Sequence, residues 1–331
     1  MSGISSAYFK SVALALLLVF SWDRQLQHAT VMADFPSSTF KRNFYSETCP
    51  DAENIVFRVV ANCLLTNPEL GAGIIRMLFH DCFVNGCDAS ILLEGTDSEL
   101  EAIPNQSLKG IRVIEQAKAN LEAACPGVVT CADIIALAAR DSSFLLGGKY
   151  FEIKTGRFDG TNPGVVILPA PTSSVSDTLR LFTDVGLSPD DLVVLLGGHT
   201  LGVSQCRFFS SRLYNFSSTG RADPTMDAGY RAVLQRRCPQ DGDGSAEQEL
   251  DRGSVLYLDN SYYQNLLRNQ GLLQIDQQLT YDDRTIGLVQ DLAHSFATFQ
   301  EAFADSMTRM SEIYVKGPSH GEVRKVCSSA N

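Results

Sequence analysis

Tryptophan is almost missing from this chain, with Trp22 its only instance. Long apolar runs are missing too. The stretch Val12 to Phe20 is too short to cross a bilayer, and no later segment reaches the roughly 18 uncharged residues that a spanning helix needs, so no membrane association is expected. Lys and Arg never form a run, and the formal net charge is -11. Nucleic-acid binding is driven by clustered positive charge, which leaves a small neutral or organic substrate as the easier partner. A His-Glu-x-x-His motif or equivalent is absent, which removes a zinc hydrolase. Cys82 and Cys87 flank four residues, yet no second Cys/His pair at zinc spacing follows. Alternation suited to strands is scarce, with Tyr150 to Ile153 a minor candidate.

What is present is a chain of 331 residues, 44% hydrophobic, long enough for one large domain or two smaller ones around a shared site. Lys10, the apolar run behind it, and Val31 and Ala33 before Asp34 have the form of a signal peptide over residues 1–33. A soluble, secreted product is expected, and that route makes disulfides the default reading of the nine cysteines. An odd number leaves one over. Cys63 lies among Val56, Val59, Val60 and Leu64 at helical spacing, where a thiol serves as a small buried hydrophobe, so Cys63 is expected to be free.

Helical periodicity dominates the remainder. Pro50 with Asp51 and Glu53 opens one helix, and Thr130 followed by Asp133 opens another before Ile134, Leu137 and Ala138. Ser188 as N-cap, Pro189 at N1 and Asp191 at N3, with Leu187 and Leu192 as a staple, start a helix that ends near Gly197 and Gly198. Leu288, Leu292, Phe296, Phe299, Phe303, Met307 and Met310 recur at three and four residues, one apolar face of a long helix. The Gly-, Pro-, Ser- and Thr-rich stretch 158–176 divides the pattern into halves. The class is mainly α.

The densest segment runs from Arg76 to Ser90. On a helix Arg76 and His80 share a face, setting a fixed cation beside a titratable imidazole, although such a pair alone is more often a solvated surface feature. His199 follows Leu195 and Leu196 at the end of the Ser188-capped helix, where a lone histidine is usually a satisfied core residue. Only their combination with the surrounding motifs points further.

Those motifs are Leu78-Phe79-His80-Asp81-Cys82-Phe83-Val84, Gly86-Cys87-Asp88-Ala89-Ser90, Gly197-Gly198-His199-Thr200, Cys206-Arg207-Phe208 and Gly271-Leu272-Leu273-Gln274 running into Asp276. In this order, from about Asn43 to Cys327, the chain resembles the class III secretory plant peroxidases, the family of the horseradish enzyme. The resemblance implies a two-domain helical fold with little β structure, a distal domain 34–170 and a proximal domain 171–331, holding one haem b between them. It implies His199 as the iron ligand, with Asp276 accepting a hydrogen bond from the other ring nitrogen. On the opposite face it implies His80 as general base toward hydrogen peroxide, Asn105 orienting that ring, Arg76 stabilising developing negative charge, and Phe79 packing over the haem. Small phenolic donors would then give up single electrons near Pro169 and Phe208. Roles in cell-wall phenolic and lignin metabolism, oxidative-stress response and removal of peroxide follow from the same resemblance, as does a monomer exported to the cell wall.

Two calcium ions are implied as well. Asp81, Asp88 and Ser90 with main-chain oxygens of Val84 and Gly86 supply one set of hard oxygen ligands, extended by Glu99. Thr200, Asp251, Ser254 and Asp259 with the main chain of Tyr257 supply the other. Family disulfides carried across are Cys49–Cys125, Cys82–Cys87, Cys131–Cys327 and Cys206–Cys238. Asn215 begins a glycosylation acceptor, Asn215-Phe216-Ser217; Asn105-Gln106-Ser107 also fits, but a distal role would bury it. The chain departs from the family pattern at Lys109, where Arg is common, at Leu196, where Ser usually precedes Gly-Gly-His, and at Phe151, where Trp is typical. A calcium-braced binding protein that had lost its chemistry would lack Arg76, His80, His199 or Asp276, and all four are present.

Overall fold

The computed structural model describes residues 40–331; the signal-segment expectation, with Trp22, lies outside them. In chain order the α-helices are α1 (Ala52–Thr66), α2 (Glu69–Asn85), α3 (Ile111–Ala124), α4 (Cys131–Leu145), α5 (Val175–Asp184), α6 (Pro189–Leu196), α7 (Ser210–Tyr214), α8 (Ala228–Arg237), α9 (Ser261–Leu267), α10 (Gln274–Gln278), α11 (Ile286–His294) and α12 (Phe296–Met310), with short 3-10 turns between several of them. The mainly α class holds.

Helix α4 is the axis of the first half. Every residue from Cys131 to Ser143 is buried, because α1, α2 and α3 all pack against it. Residues 134–139 are apolar all round, as such enclosure requires, and the buried Arg140 farther along pairs with Asp141. Its start is the one expected: the Thr130 hydroxyl accepts from Asp133 N at 3.2 Å. Between α4 and α5 lies a stretch without helix, where the composition changed. In the second half, Ser188 and Asp191 form the expected reciprocal cap, Asp191 N to Ser188 Oγ at 3.1 Å and Ser188 N to Asp191 Oδ2 at 2.9 Å. The other oxygen of Asp191 accepts from Ser306 and Arg309 of α12, each at 2.8 Å, so the cap also fixes how α12 lies on α6.

The last segment returns to the first half. Cys131 pairs with Cys327, and the fully buried Arg157 donates to Asp133 Oδ1 at 2.7 Å and to the Ser311 carbonyl at 3.1 Å. Removing one partner of such a buried pair costs about 3–5 kcal/mol. The other three disulfides join Cys49 to Cys125, Cys82 to Cys87 and Cys206 to Cys238. Cys63 is free, but it is half-buried rather than enclosed.

Two expectations are corrected. The apolar stripe from Leu288 to Met310 is two helices, α11 and α12, broken at Ser295, whose extended backbone (φ -131°, ψ 108°) and hydroxyl cap α12 through Thr298 N. Residues 150–153 form no strand. The two-stranded sheet is instead β1 (Val203–Gln205) against antiparallel β2 (Glu247–Glu249), two mostly polar three-residue segments whose pairing depends on the chain returning over a long interval.

Candidate active site

Between the two halves lies a cavity of about 280 Å³. Arg76, Phe79 and His80 of α2 line one wall, and Gly198 and His199, just past α6, line another. The helical spacing of Arg76 and His80 does bring them together: Arg76 Nε donates to His80 Nε2 at 3.1 Å. The rest of the guanidinium is held by Ser107 Oγ at 3.1 Å and the Pro104 carbonyl at 2.6 Å. On the far side of the imidazole, Nδ1 meets Asn105 Oδ1 at 2.5 Å, and Asn105 is itself oriented by donating to the Glu99 carbonyl at 2.8 Å.

These contacts assign the tautomer. Asn105 Oδ1 can only accept, so Nδ1 carries the proton and Nε2 offers its lone pair toward Arg76. Burial, reinforced by the Arg76 charge, pulls His80 from 6.5 down to about 3, against the opposing effect of the Asn105 hydrogen bond. The ring is therefore neutral over the ordinary pH range.

His199 is positioned by close packing behind it. A Cβ on Gly197 would fall 2.2 Å from the Tyr263 hydroxyl and 2.7 Å from Phe299, so only glycine lets the end of α6 settle there. His199 Nδ1 meets Asp276 Oδ1 at 2.8 Å. Asp276 is wholly buried; the same Oδ1 accepts from the Tyr262 hydroxyl at 3.0 Å, and Oδ2 accepts from Leu273 N at 3.2 Å. With Nδ1 committed to Asp276, Nε2 is the nitrogen left for the cavity. Tyr262 went unnoticed in the sequence, where it reads as one of two adjacent core tyrosines.

Pro169 and Phe208 line the same cavity, as do Leu196 and Lys109 among the departures. Lys109 Nζ stands 3.5 Å from Glu69 and 3.8 Å from Glu247, and Phe151 packs half-buried on the core. Of the two glycosylation acceptors, Asn105 is buried and Asn215 exposed.

Both oxygen clusters assemble. Beside His80, Asp81 Oδ2 accepts from Ala89 N at 3.0 Å and Asp88 Oδ1 from Ser90 N at 2.9 Å, on either side of the short loop closed by Cys82–Cys87. Val84 lies in the last turn of α2, which ends at Asn85, and Gly86 is its cap, with φ +87° and no room for a Cβ against Tyr314 O at 2.5 Å. Asp81 Oδ1, Ser90 Oγ and Glu99 Oε2 are buried without a partner at hydrogen-bonding geometry, and Lys316 pairs with the outer oxygen of Asp88. Burial and then Asp88 push Asp81 well above the usual carboxylate range. Buried oxygens so poorly served by donors, among acidic groups, fit a hard divalent cation.

In the second cluster, Thr200 Oγ1 donates toward Asp251 Oδ2 at 3.1 Å and Asp259 Oδ1 at 3.3 Å, and Ser254 Oγ toward Asp259 Oδ2 at 2.6 Å and the Tyr257 carbonyl at 3.1 Å. Ser261 bridges both carboxylates and Asn265 holds Asp251, two contributors that sequence reading missed. Among the described residues no group of three or more His, Cys, Asp or Glu has metal-binding geometry; both clusters rest on hydroxyl and main-chain oxygens as much as on carboxylates.

Comparison with known proteins bears directly on this geometry. A family model described as Peroxidase matches residues 56–295. Peroxidase 71 of Arabidopsis thaliana is 49% identical over 300 residues, covering 89% of this chain and 91% of that protein. Peroxidase 62 of the same plant is 48% identical, covering 87% and 91%, and Peroxidase N1 of Nicotiana tabacum is 48% identical, covering 87% and 89%. By these comparisons the chain is an enzyme with peroxidase activity and belongs to the class III plant peroxidases, a family that carries haem and calcium.

Proposed function

We propose that this chain holds one haem b in the cavity between His80 and His199, with His199 Nε2 on the iron, and reduces hydrogen peroxide at the expense of small phenols. The observation that carries the reading is the opposed pair, His80 fixed by Asn105 and His199 fixed by Asp276, on one cavity. The bound haem supplies the redox centre. His80 Nε2 takes a proton from peroxide and returns it to the departing oxygen. The Asn105 contact keeps the other ring proton in place throughout. Arg76 directs its guanidinium at the negative charge that develops on that oxygen, already oriented by Ser107 and Pro104. Phe79 covers the site, and Pro169 and Phe208 offer an apolar edge where an aromatic donor can rest.

The two oxygen clusters are read as one calcium site each: Asp81, Val84, Gly86, Asp88 and Ser90 with Glu99 behind them, and Thr200, Asp251, Ser254, Tyr257 and Asp259. The first continues the helix that carries His80, and the second starts at the residue after His199. Distal and proximal domains divide near 170, with the C-terminal tail bridging back through Cys131–Cys327. A monomer exported to the cell wall, glycosylated at Asn215, is the cellular form proposed. No helix among the described residues is long and apolar enough to cross a membrane.

The test is an absorption spectrum of the haem- and calcium-loaded protein followed by rapid mixing with peroxide: a five-coordinate ferric spectrum that converts to an oxidised form is expected, and failure to take up haem would sink the reading. A pH series gives a second result. Because His80 is already neutral above about pH 3, the rate of reaction with peroxide stays flat through pH 6.5 and falls only far below it. For stability the sign is the reverse of a salt-bridged histidine: the unfolded chain gains this proton near pH 6.5 and the folded one only near 3, so the residue destabilises the fold as pH drops through that window. An acid limb centred at 6.5 would contradict the buried, neutral assignment.

A further inference from the structure

The oxygen of Asp276 that faces His199 has a second donor. His199 Nδ1 lies 2.8 Å from Oδ1 and the Tyr262 hydroxyl lies 3.0 Å from the same atom, in a pocket where both Asp276 and Tyr262 are buried. Tyr262 stands over the pair, its ring 6.3 Å from the His199 imidazole and nearly perpendicular to it. Hydroxyl donation to a carboxylate is among the stronger protein hydrogen bonds, and electron density drawn to one proton is unavailable to the other. We infer that Tyr262 is a positioning residue that weakens the hold of Asp276 on the His199 N–H, and so sets how electron-rich an imidazole His199 presents to the metal. The inference rests on the proximal-ligand reading given above.

The physical chain is short. A carboxylate accepting strongly from an imidazole N–H gives the ring imidazolate character, which favours the higher oxidation state of a bound metal. Tyr262 drains that effect from the same oxygen, while Leu273 N occupies the other at 3.2 Å. Leu273 is itself fixed, because the buried Arg212, paired with Asp223, donates to the main-chain carbonyls of Leu272 at 2.9 Å and Leu273 at 3.1 Å. Asp276 therefore cannot swing away to keep the two donors apart. Tyr263 offers an internal control: its hydroxyl is equally buried, but it donates to the Val193 and Val194 carbonyls at 3.0 and 3.3 Å and not to Asp276.

The experiment compares haem-loaded wild type, Tyr262→Phe and Tyr263→Phe by spectroelectrochemical titration and by resonance Raman spectroscopy of the ferrous form. In Tyr262→Phe the iron–histidine stretching band rises and the ferric state gains about tenfold over the ferrous, a potential about 59 mV more negative for one electron, while Tyr263→Phe, which loses only hydroxyl bonds to the helix before His199, shifts both readouts by much less. Wild-type values in Tyr262→Phe would overturn the inference, and so would equal shifts in the two variants, which would mean that loss of any buried hydroxyl disturbs the pocket. If wild type itself lacks an iron–histidine band, the ligand assignment fails instead, and the two failures are told apart by that one spectrum.

Discussion

Replacing His80 by alanine lowers the second-order rate of reaction with hydrogen peroxide by about 10²–10⁴-fold, the range general acid–base catalysis supplies, and leaves haem binding in place. The loss is large because neither side chain that touches the ring can act as base in its place. Arg76 Nε already donates to His80 Nε2, and a guanidinium has no lone pair to accept with. Asn105, behind the ring, offers only an amide oxygen. The substitution removes the proton acceptor and leaves Arg76 without one of its partners, although Ser107 and the Pro104 carbonyl still hold it, so charge stabilisation survives in weakened form. Haem retention is expected because the proposed ligand, His199, lies on the other wall of the cavity with its own support from Asp276. Rapid mixing of the haem-loaded variant with peroxide measures the rate directly, and a wild-type rate would remove His80 from the reaction.

How much of this could be read from the chain depends on distance in sequence. Arg76 and His80 are one helical turn apart, so periodicity alone put them on a common face. The Ser188 cap was legible for the same reason, since Ser, Pro and Asp act within four residues of one another. The Ser295 break was hidden by its own consistency: Leu292, before it, and Phe299 and Phe303, after it, are all buried, so the apolar stripe continues across a change of helix. Strands β1 and β2 gave no alternation to detect, being three residues each, polar apart from Val203, and largely half-buried on either side of a long connection. Asn105 and Asp276 reached the site only through family resemblance, because their partners lie 25 and 77 positions away. Tyr262 and Ser261 needed the fold itself, as no local pattern distinguishes a core tyrosine from one that shares a carboxylate with a histidine.

Stripping calcium from the loaded protein lowers its melting temperature and slows its reaction with peroxide, and re-addition restores both. The reason lies in the loop that begins at Asp81, the residue after the proposed base. Asp81 Oδ1, Ser90 Oγ and Glu99 Oε2 are buried, and Ser90 and Glu99 have at most each other for a partner; a buried group left unsatisfied costs about 1–3 kcal/mol. Lys316 neutralises Asp88 from outside but leaves the inner oxygens unserved. A cation at a hundred times its dissociation constant stabilises the fold by about 2.7 kcal/mol per site, and that stabilisation disappears with the ion. Magnesium, which demands a tighter octahedral shell, should restore little of it. Asp81→Asn makes the assignment specific: the variant starts less stable, and chelation lowers its melting temperature by less than it lowers the wild type's, because one of the two proposed sites is already impaired. Thermal melts with and without chelator, with metal content measured on the same samples, decide the matter. Identical curves for calcium-loaded and verified calcium-free wild type would mean that the buried oxygens beside His80 are satisfied in some other way, and that the loop holds the base in place without an ion.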